Sequence, residues 1–245
     1  MCLKSSWRKR FDQQNGTRPP FQQYISVVPG FCSGVNILRH SGEWTALHPV
    51  IMKLPSRLAA MSGLEKSKAL SALARKALDL SAERSNITPP APVKDARGAP
   101  QPTAGVYWSL SHSVDCVAAV VAPYGVGIDL EQIREVSPLL RDQVVSEAEW
   151  QLAPDYDPTM FFRYWTAKEA VLKASGDGLS GLPRCRVTEI IDEVRVLLNY
   201  QDTSWLVVQH RIAENIEMAV PGYIAALTSG CHDIIWRDLS MDQPE

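Results

Sequence analysis

The sequence predicts an α+β fold, because helical and extended patterns are mixed along the chain without a regular strand–helix–strand alternation. Apolar residues recur at helical spacing in three segments, 55–84, 138–152 and 159–174. Short runs of apolar, β-branched and aromatic residues predict strands, all of them after residue 105, over 106–110, 116–122, 126–130, 194–199, 205–212, 223–228 and 234–237. A doubly wound parallel sheet is therefore not expected.

The first 35 residues are predicted to be a polar leader with one short extended piece. The apolar run after Tyr24 is broken by Pro29 and Gly30, so the continuous apolar core of a cleaved targeting peptide is missing. We therefore expect residues 1–35 to be poorly ordered.

The first helical region, 55–84, contains Gly63, which predicts a break between two helices. The segment 88–105 follows it and holds five prolines. Proline fits neither a helix interior nor a central strand, so this segment is predicted to be a loop or linker.

Two apolar runs, 116–122 and 126–130, lie on either side of Pro123-Tyr124-Gly125. Because proline and glycine favour tight turns, this arrangement predicts a hairpin between the two runs.

The composition of the 245 residues is that of an ordinary globular protein, with 45% hydrophobic and 21% charged residues. The formal net charge of -2 gives no reason to expect a nucleic-acid partner. No segment approaches the roughly 20 apolar residues that a membrane span needs. The five cysteines are far apart and form no CxxC pair, so we expect neither a disulfide framework nor a zinc site. A cytoplasmic monomer is the expectation.

The segment Gly125-Val126-Gly127-Ile128-Asp129-Leu130-Glu131 carries two acids two residues apart. In a strand, Asp129 and Glu131 project to one face, while Ile128 and Leu130 face the core. A bound cation relieves the repulsion between neighbouring carboxylates, and oxygen ligands of this kind suit magnesium. The alternative is a solvated strand edge without a ligand.

The segment from Phe161 to Lys173 places Trp165, Glu169 and Lys173 at helical i, i+4, i+8 spacing. Glu169 could complete a metal site, and Lys173 could neutralise a phosphate. The alternative is an exposed ion pair worth about 0.3–0.5 kcal/mol. Lys168 points about 100° away from Glu169 and has less claim to the same site.

Ser111 and His112, within Trp108-Ser109-Leu110-Ser111-His112-Ser113, occupy the predicted end of a strand. A serine hydrolase is not favoured, because strand neighbours point apart and no GxSxG elbow is present. The hydroxyl and the imidazole could instead bind a phosphate or diphosphate. The alternative is a turn that is capped by serines.

Together, WSLSHS, VGIDLE and FFRYWTAKEAVLKASGDGLS resemble, in this order and at these separations, the surfactin-type 4'-phosphopantetheinyl transferases. The resemblance covers about 50–236. It implies two similar α+β halves, 36–122 and 123–236, related by pseudo-twofold symmetry with the active site between them. Residues 237–245 would be a tail.

The resemblance also implies roles for individual residues. Asp129, Glu131 and Glu169 match the magnesium-binding acids of the family, and Lys173 matches its phosphate-contacting lysine. Glu169, or a water that it orients, is the expected base. Ser111 matches a residue that contacts coenzyme A near its 3'-phosphate.

His112 matches a second residue that contacts coenzyme A at that place. The family often has Gly-Lys-Pro before the serine–histidine strand, whereas this chain has Gly98-Ala99-Pro100. Arg97 or Lys94 could replace the missing lysine. Lys53 and Arg57 are the nearest candidates for further basic contacts to coenzyme A.

The expected activity is the transfer of 4'-phosphopantetheine from coenzyme A to a serine of an apo acyl or peptidyl carrier protein, with release of 3',5'-ADP. Magnesium is the expected cofactor. The carrier is expected to dock near the helix at 138–152 and the loop after Lys173. Two alternatives stay open: an inactive coenzyme A-binding homologue, and a magnesium-dependent hydrolase of a diphosphate compound.

Overall fold

A computed structural model of the chain describes residues 24–25, 46–61, 63–96, 98–153, 157–212, 222–230 and 232–240. Only Tyr24–Ile25 of the predicted leader belongs to this part, and the rest of 1–35 lies outside the described residues. The described strands are, in chain order, β1 (Tyr24–Ile25), β2 (Ala46–Leu47), β3 (Val50–Lys53), β4 (Tyr107–Ser113), β5 (Cys116–Ala122), β6 (Ile128–Gln132), β7 (Arg186–Ile190), β8 (Arg195–Tyr200), β9 (Thr203–Ile212), β10 (Tyr223–Ser229), β11 (Asp233–Ile235) and β12 (Arg237–Ser240).

Helices and strands are mixed as expected, and the predicted α+β class is confirmed. The described helices are α1 (Ser56–Ala59), α2 (Gly63–Arg84), α3 (Pro138–Val144), α4 (Glu147–Trp150), α5 (Pro158–Ser175) and a 3₁₀ helix (Gly178–Arg184). None of these described helices is long and apolar enough to cross a membrane.

Two larger sheets form the body of the fold. The first has the strand order β12-β3-β5-β4, and the second has the order β6-β10-β9-β8-β7. Small strands β1, β11 and β2 form a third sheet.

The two larger sheets lie face to face, and one long helix covers the outer face of each. Alternate residues of β5 explain the layers: Val117 and Ala119 pack with α2, whereas Ala118 and Val120 pack against the second sheet. On the second sheet, α5 packs on β8, β9 and β10. The order of layers is therefore α2, first sheet, second sheet, α5.

Local sequence fixes both ends of α5. The side chain of Asp157 accepts a hydrogen bond from the Thr159 amide at 2.9 Å, and Pro158 occupies the first turn. Gly176 ends the helix with a φ of 76°, a left-handed conformation that costs glycine little. The helix therefore presents Glu169 and Lys173 at a fixed place on β6.

The predicted hairpin between 116–122 and 126–130 is wrong. Strand β5 pairs with β4 and β3, whereas β6 pairs with β10 in the other sheet. The chain crosses between the sheets at Gly127, where an added Cβ would lie 1.8 Å from the carbonyl oxygen of Ala170. The glycine thus serves the close approach of β6 to α5 rather than a turn.

The actual hairpin joins β4 and β5 through Val114 and Asp115. Val114 has a φ of 55°, which is uncommon for a β-branched residue. The absence of glycine or asparagine here explains why the sequence did not reveal the turn.

Other predicted boundaries differ in detail. The break at Gly63 is confirmed by its φ of 67°. The predicted helix at 138–152 divides into α3 and α4, because Ser146 and Glu149 form a capping box. In the expected tail, Arg237–Ser240 is a strand that pairs in parallel with β3.

Candidate active site

The edge strands of the two sheets, β4 and β6, face each other across a seam that side-chain hydroxyls bridge. Three alternate serines of β4 reach β6. Ser109 Oγ accepts a hydrogen bond from the Ile128 amide at 3.1 Å, and Ser113 Oγ accepts one from the Gln132 amide at 3.3 Å. The hydroxyls satisfy edge amides of β6 that pair with no strand on this side.

Asp129 projects from β6 at the centre of the seam and is 3% exposed. Its Oδ1 accepts hydrogen bonds from Ser111 Oγ at 2.8 Å and from Lys173 Nζ at 2.7 Å. Lys173 also donates to the Ile128 carbonyl at 3.2 Å. Oδ2 of Asp129 is buried and has no hydrogen-bond partner in the described part of the chain.

Glu131 lies two residues farther along β6 and is partly exposed. Its Oε2 accepts hydrogen bonds from Ser113 Oγ at 2.8 Å and from Arg134 at 3.4 Å. The Arg134 guanidinium also lies over the Phe162 ring, 5.1 Å from its centroid. One oxygen of each acid is thus held by a serine of the first sheet.

Glu169 faces these acids from α5. Burial raises its pKa to about 7, the negative charge of Asp129 adds to the rise, and Lys173 opposes it. Glu131 raises the pKa further. The three acids are therefore near enough to repel one another.

The three acids offer carboxylate oxygens, the ligand type that a hard cation prefers. Among the residues that the structure describes, no group of three or more His, Cys, Asp or Glu side chains could hold a metal ion as it stands. Two features still fit a cation: the buried Oδ2 of Asp129, which has no partner among the described residues, and the negative charges of Asp129 and Glu131, which add to the effect of burial on the pKa of Glu169. Magnesium needs only one or two protein carboxylates beside water and phosphate oxygens, so the donor chemistry fits.

Lys168 does not point toward the three acids, as expected from its position about 100° from Glu169 around the helix. Its Nζ lies 2.7 Å from Glu149 Oε1 and donates to the Val144 carbonyl at 2.6 Å. Both side chains of this ion pair are buried, and Lys168 holds the pKa of Glu149 below its usual value against the effect of burial. The pair fixes α5 to the segment that carries α3 and α4.

Two adjoining cavities, of about 250 and 350 Å³, open between the predicted linker and the carboxyl end of α5. Both are lined by the same five residues: Ala99, Pro100, Trp108, Lys173 and Gly176.

Lys94 and Ser109 line the larger cavity, and Tyr107 lines the smaller one. Lys173 therefore joins the acids to a space large enough for part of a cofactor-sized ligand.

The structure does not bring together the residues that were predicted to contact coenzyme A near its 3'-phosphate. Ser111 is buried against Asp129, whereas His112 is exposed on the opposite face of β4, towards α2. Arg57 is exposed on α1, and neither it nor His112 lines the two cavities. Arg97 lies outside the described residues.

Sequence reasoning missed Ser109, Ser113 and Trp108. The signal was the alternation of serines within WSLSHS, which puts three hydroxyls on one face of a strand. Their partners on β6 are up to 19 residues away, and no local pattern reveals them.

A sequence model of the 4'-phosphopantetheinyl transferase superfamily matches residues 125–227. Curated relatives match as well. The 4'-phosphopantetheinyl transferase HetI of Nostoc sp. is 40% identical over 90 residues, covering 34% of this chain and 38% of the relative. The 4'-phosphopantetheinyl transferase gsp of Aneurinibacillus migulanus is 31% identical over 35% of this chain and 38% of its own length.

The 4'-phosphopantetheinyl transferase psf-1 of Bacillus pumilus is 33% identical over 30% of this chain and 34% of its own length. The aligned segments therefore span well under half of each of these relatives. The superfamily match begins at Gly125 and contains Asp129, Glu131, Glu169 and Lys173. By this match and these similarities, the segment 125–227 is similar to the 4'-phosphopantetheinyl transferase superfamily.

Proposed function

We propose that the chain transfers 4'-phosphopantetheine from coenzyme A to a serine of an apo acyl or peptidyl carrier protein. The observation that carries this proposal is the position of Lys173, whose Nζ binds Asp129 and whose side chain lines both cavities. A diphosphate in these cavities would lie beside the Lys173 side chain, whose Nζ contacts Asp129. The names of the curated relatives support the same activity.

In this reaction, the serine oxygen forms a bond to the phosphorus that carries pantetheine. The bond from this phosphorus to the oxygen of 3',5'-ADP breaks, and the serine proton passes to a base. Asp129, Glu131 and Glu169 would hold magnesium, which when bound offsets the negative charge on the diphosphate. Lys173 holds a second positive charge at the cavity wall.

Glu169 is the proposed proton acceptor, directly or through a water that it orients. Burial, together with the charge of Asp129, raises the pKa of Glu169 to about 7 in the metal-free chain, and magnesium on the carboxylate would oppose this rise. Ser111 holds Asp129 in place, and the protein's contribution is mostly positioning and electrostatics.

The cavities also support a role for Lys94 as the cation that replaces the lysine expected at Ala99. Both residues line the larger cavity, and Lys94 is exposed. Arg57, Arg97 and His112 remain proposed contacts of the 3'-phosphate, and the support for them is the resemblance alone.

We further propose that the two helix-covered sheets correspond to two similar halves, 36–122 and 123–236, related by pseudo-twofold symmetry. The support is that α2 and α5 cover the outer faces of the two sheets. We propose a cytoplasmic monomer that binds neither nucleic acid nor membrane; the free, buried Cys116 and Cys185 fit a reducing compartment.

The test is to incubate the purified chain with coenzyme A, magnesium and a panel of apo carrier proteins, and to measure the intact mass of each carrier. The expected result is the gain of one phosphopantetheine, and none on a carrier whose acceptor serine is replaced by alanine. Coenzyme A binding without mass gain would instead indicate an inactive homologue. Breakdown of coenzyme A without a carrier would indicate a hydrolase.

A further inference from the structure

The serines of β4 divide into two kinds by what they hold on β6. Ser109 contacts only the backbone, through the Ile128 amide. Ser111 and Ser113 donate to carboxylates, namely Asp129 and Glu131, at 2.8 Å each. Ser109 therefore joins the two strands, whereas Ser111 and Ser113 also orient acids.

Each of these two acids has its hydrogen bonds on one oxygen. Oδ1 of Asp129 takes both Ser111 and Lys173, which leaves Oδ2 buried and without a partner in the described part of the chain. Oε2 of Glu131 takes Ser113 and Arg134. Burying a carboxylate oxygen without a hydrogen-bond partner costs free energy of folding, so the position of Oδ2 indicates a ligand there.

We propose that Ser111 and Ser113 are positioning residues for a divalent cation, which the free oxygens of Asp129 and Glu131 bind. The inference rests on the proposed function, because it assumes that these acids hold the metal. A hydroxyl that donates a hydrogen bond to one carboxylate oxygen fixes the rotation of the carboxylate and directs the other oxygen to the cation. Because the hydroxyls belong to the first sheet and the acids to the second, the cation site forms only when the two sheets are in register.

The same geometry changes the expected role of Ser111. The resemblance assigns it to coenzyme A, whereas its hydroxyl here donates to Asp129 and the residue is 7% exposed. A positioning role predicts weaker cation binding after Ser111→Ala with unchanged metal-free binding of coenzyme A. A direct contact to coenzyme A predicts the reverse.

The experiment titrates Mn²⁺, as the probe, into the full-length chain without coenzyme A and follows the loss of the free-ion electron paramagnetic resonance signal. Ser113→Ala and Ser111→Ala should each weaken Mn²⁺ binding about tenfold, the scale found for residues that orient metal ligands. Ser113→Thr keeps the hydroxyl and should restore most of the affinity.

Ser109→Ala is the matched control. Like Ser113→Ala, it removes a hydroxyl from the same face of β4 and leaves a β6 amide unpaired, yet it touches no carboxylate. It should therefore cost similar stability in thermal unfolding and leave Mn²⁺ affinity within about twofold. Equal Mn²⁺ affinity in wild type, Ser111→Ala and Ser113→Ala would overturn the inference alone. No Mn²⁺ binding by the wild type would overturn it together with the metal site of the proposed function.

Discussion

Asp129 is buried next to two other acids, and its negative charge is balanced within the chain by Lys173, whose Nζ lies 2.7 Å from Oδ1. Burying an ionised carboxylate is unfavourable unless it is paired and hydrogen-bonded, so the ion pair with Lys173 and the hydrogen bond from the Ser111 hydroxyl offset the cost of burying Asp129. Oδ2 of Asp129 has no hydrogen-bond partner among the described residues, so its burial lowers stability.

Replacing either central acid should abolish most transfer activity while the fold survives. Asp129→Ala and Glu169→Ala each remove a charge that the proposed site needs, rather than a core side chain. We expect activity to fall at least about a hundredfold, a loss of about 2.7 kcal/mol in transition-state stabilisation. Glu83→Ala, which removes an exposed acid on α2, is the control. Near-normal turnover of either site variant at saturating coenzyme A and magnesium would remove that residue from the mechanism.

The raised pKa of Glu169 predicts a pH dependence of stability in the metal-free chain. Burial, followed by the charge of Asp129, raises this pKa from 4.5 to about 7. Between these values the folded chain holds a proton that the unfolded chain has released, so stability falls as the pH rises through this window. Above about pH 7 both the folded and the unfolded chain have released this proton, so the free energy of unfolding changes no further with pH on account of Glu169.

Urea unfolding at about pH 5 and about pH 8 measures this effect. The wild type should lose more stability between the two pH values than Glu169→Gln, whose side chain does not titrate. Magnesium should reduce the difference, because a cation on the carboxylate competes with the proton. Equal pH dependence in both proteins would show that Glu169 titrates normally.

At the scale of single elements, the two best predicted features are those with local causes. Asp157-Pro158 and Gly176 mark the ends of α5 in the sequence itself, and the alternation of Asp129 and Glu131 with the fully buried Ile128 and Leu130 follows from strand geometry.

The hairpin prediction was wrong although it used the same kind of local signal, namely glycine and proline between two apolar runs. At this place tertiary packing, rather than the local sequence, determines which strands pair. Gly127 lies next to α5, which begins about 30 residues later, and this contact could not be predicted from its neighbours. The capping box that divides α3 from α4 is a local signal in the sequence, Ser146 and Glu149, three residues apart.

Gly127→Ala should disrupt the contact of β6 with α5. The new Cβ would lie 1.8 Å from the Ala170 carbonyl oxygen and 2.7 Å from the Ala174 amide nitrogen, and these backbone atoms cannot move independently of the helix. We expect a destabilisation of at least about 3 kcal/mol, in the range of strong overpacking. Urea unfolding measures it.

Gly125→Ala provides the matched comparison two residues away. Its Cβ would lie 3.4 Å from the Ala174 carbonyl oxygen, close to an ordinary contact, so the cost should stay below about 1 kcal/mol. Similar losses for the two variants would mean that β6 and α5 do not approach as closely as the structure indicates.

For the whole molecule, the packing of the two larger sheets against each other brings the serines of β4 to the acids of β6. The central core between them contains apolar residues of both, and the hydroxyl seam of β4 and β6 lies at its edge. Tyr223 of β10 donates to Asp115 of the β4–β5 turn and adds a second link. Such contacts join residues 18 to 108 positions apart, so the sequence predicted which acids to consider but not what holds them.

The proposed docking surface for the carrier lies near α3 and the loop that follows Lys173. Leu140 of α3 and Leu182 of the 3₁₀ helix pack against the core beneath α5. Leu139 of α3 and Leu179 of the 3₁₀ helix are 69% and 56% exposed. Leu179 directly follows Gly178, which lines the larger cavity. A carrier that covers these two leucines would have its serine near the proposed diphosphate site.

Leu139→Ser and Leu179→Ser should therefore raise the apparent KM for the apo carrier about fivefold or more and leave the KM for coenzyme A nearly unchanged, because an apolar contact is lost only to the protein partner. Leu64→Ser is the matched control, since Leu64 is also 69% exposed but lies on α2, and it should change neither constant. Arg141→Ala tests a basic rim for an acidic carrier, and its effect should shrink as salt is added. If both KM values rise together in the leucine variants, or neither changes, the carrier docks on another face of the molecule.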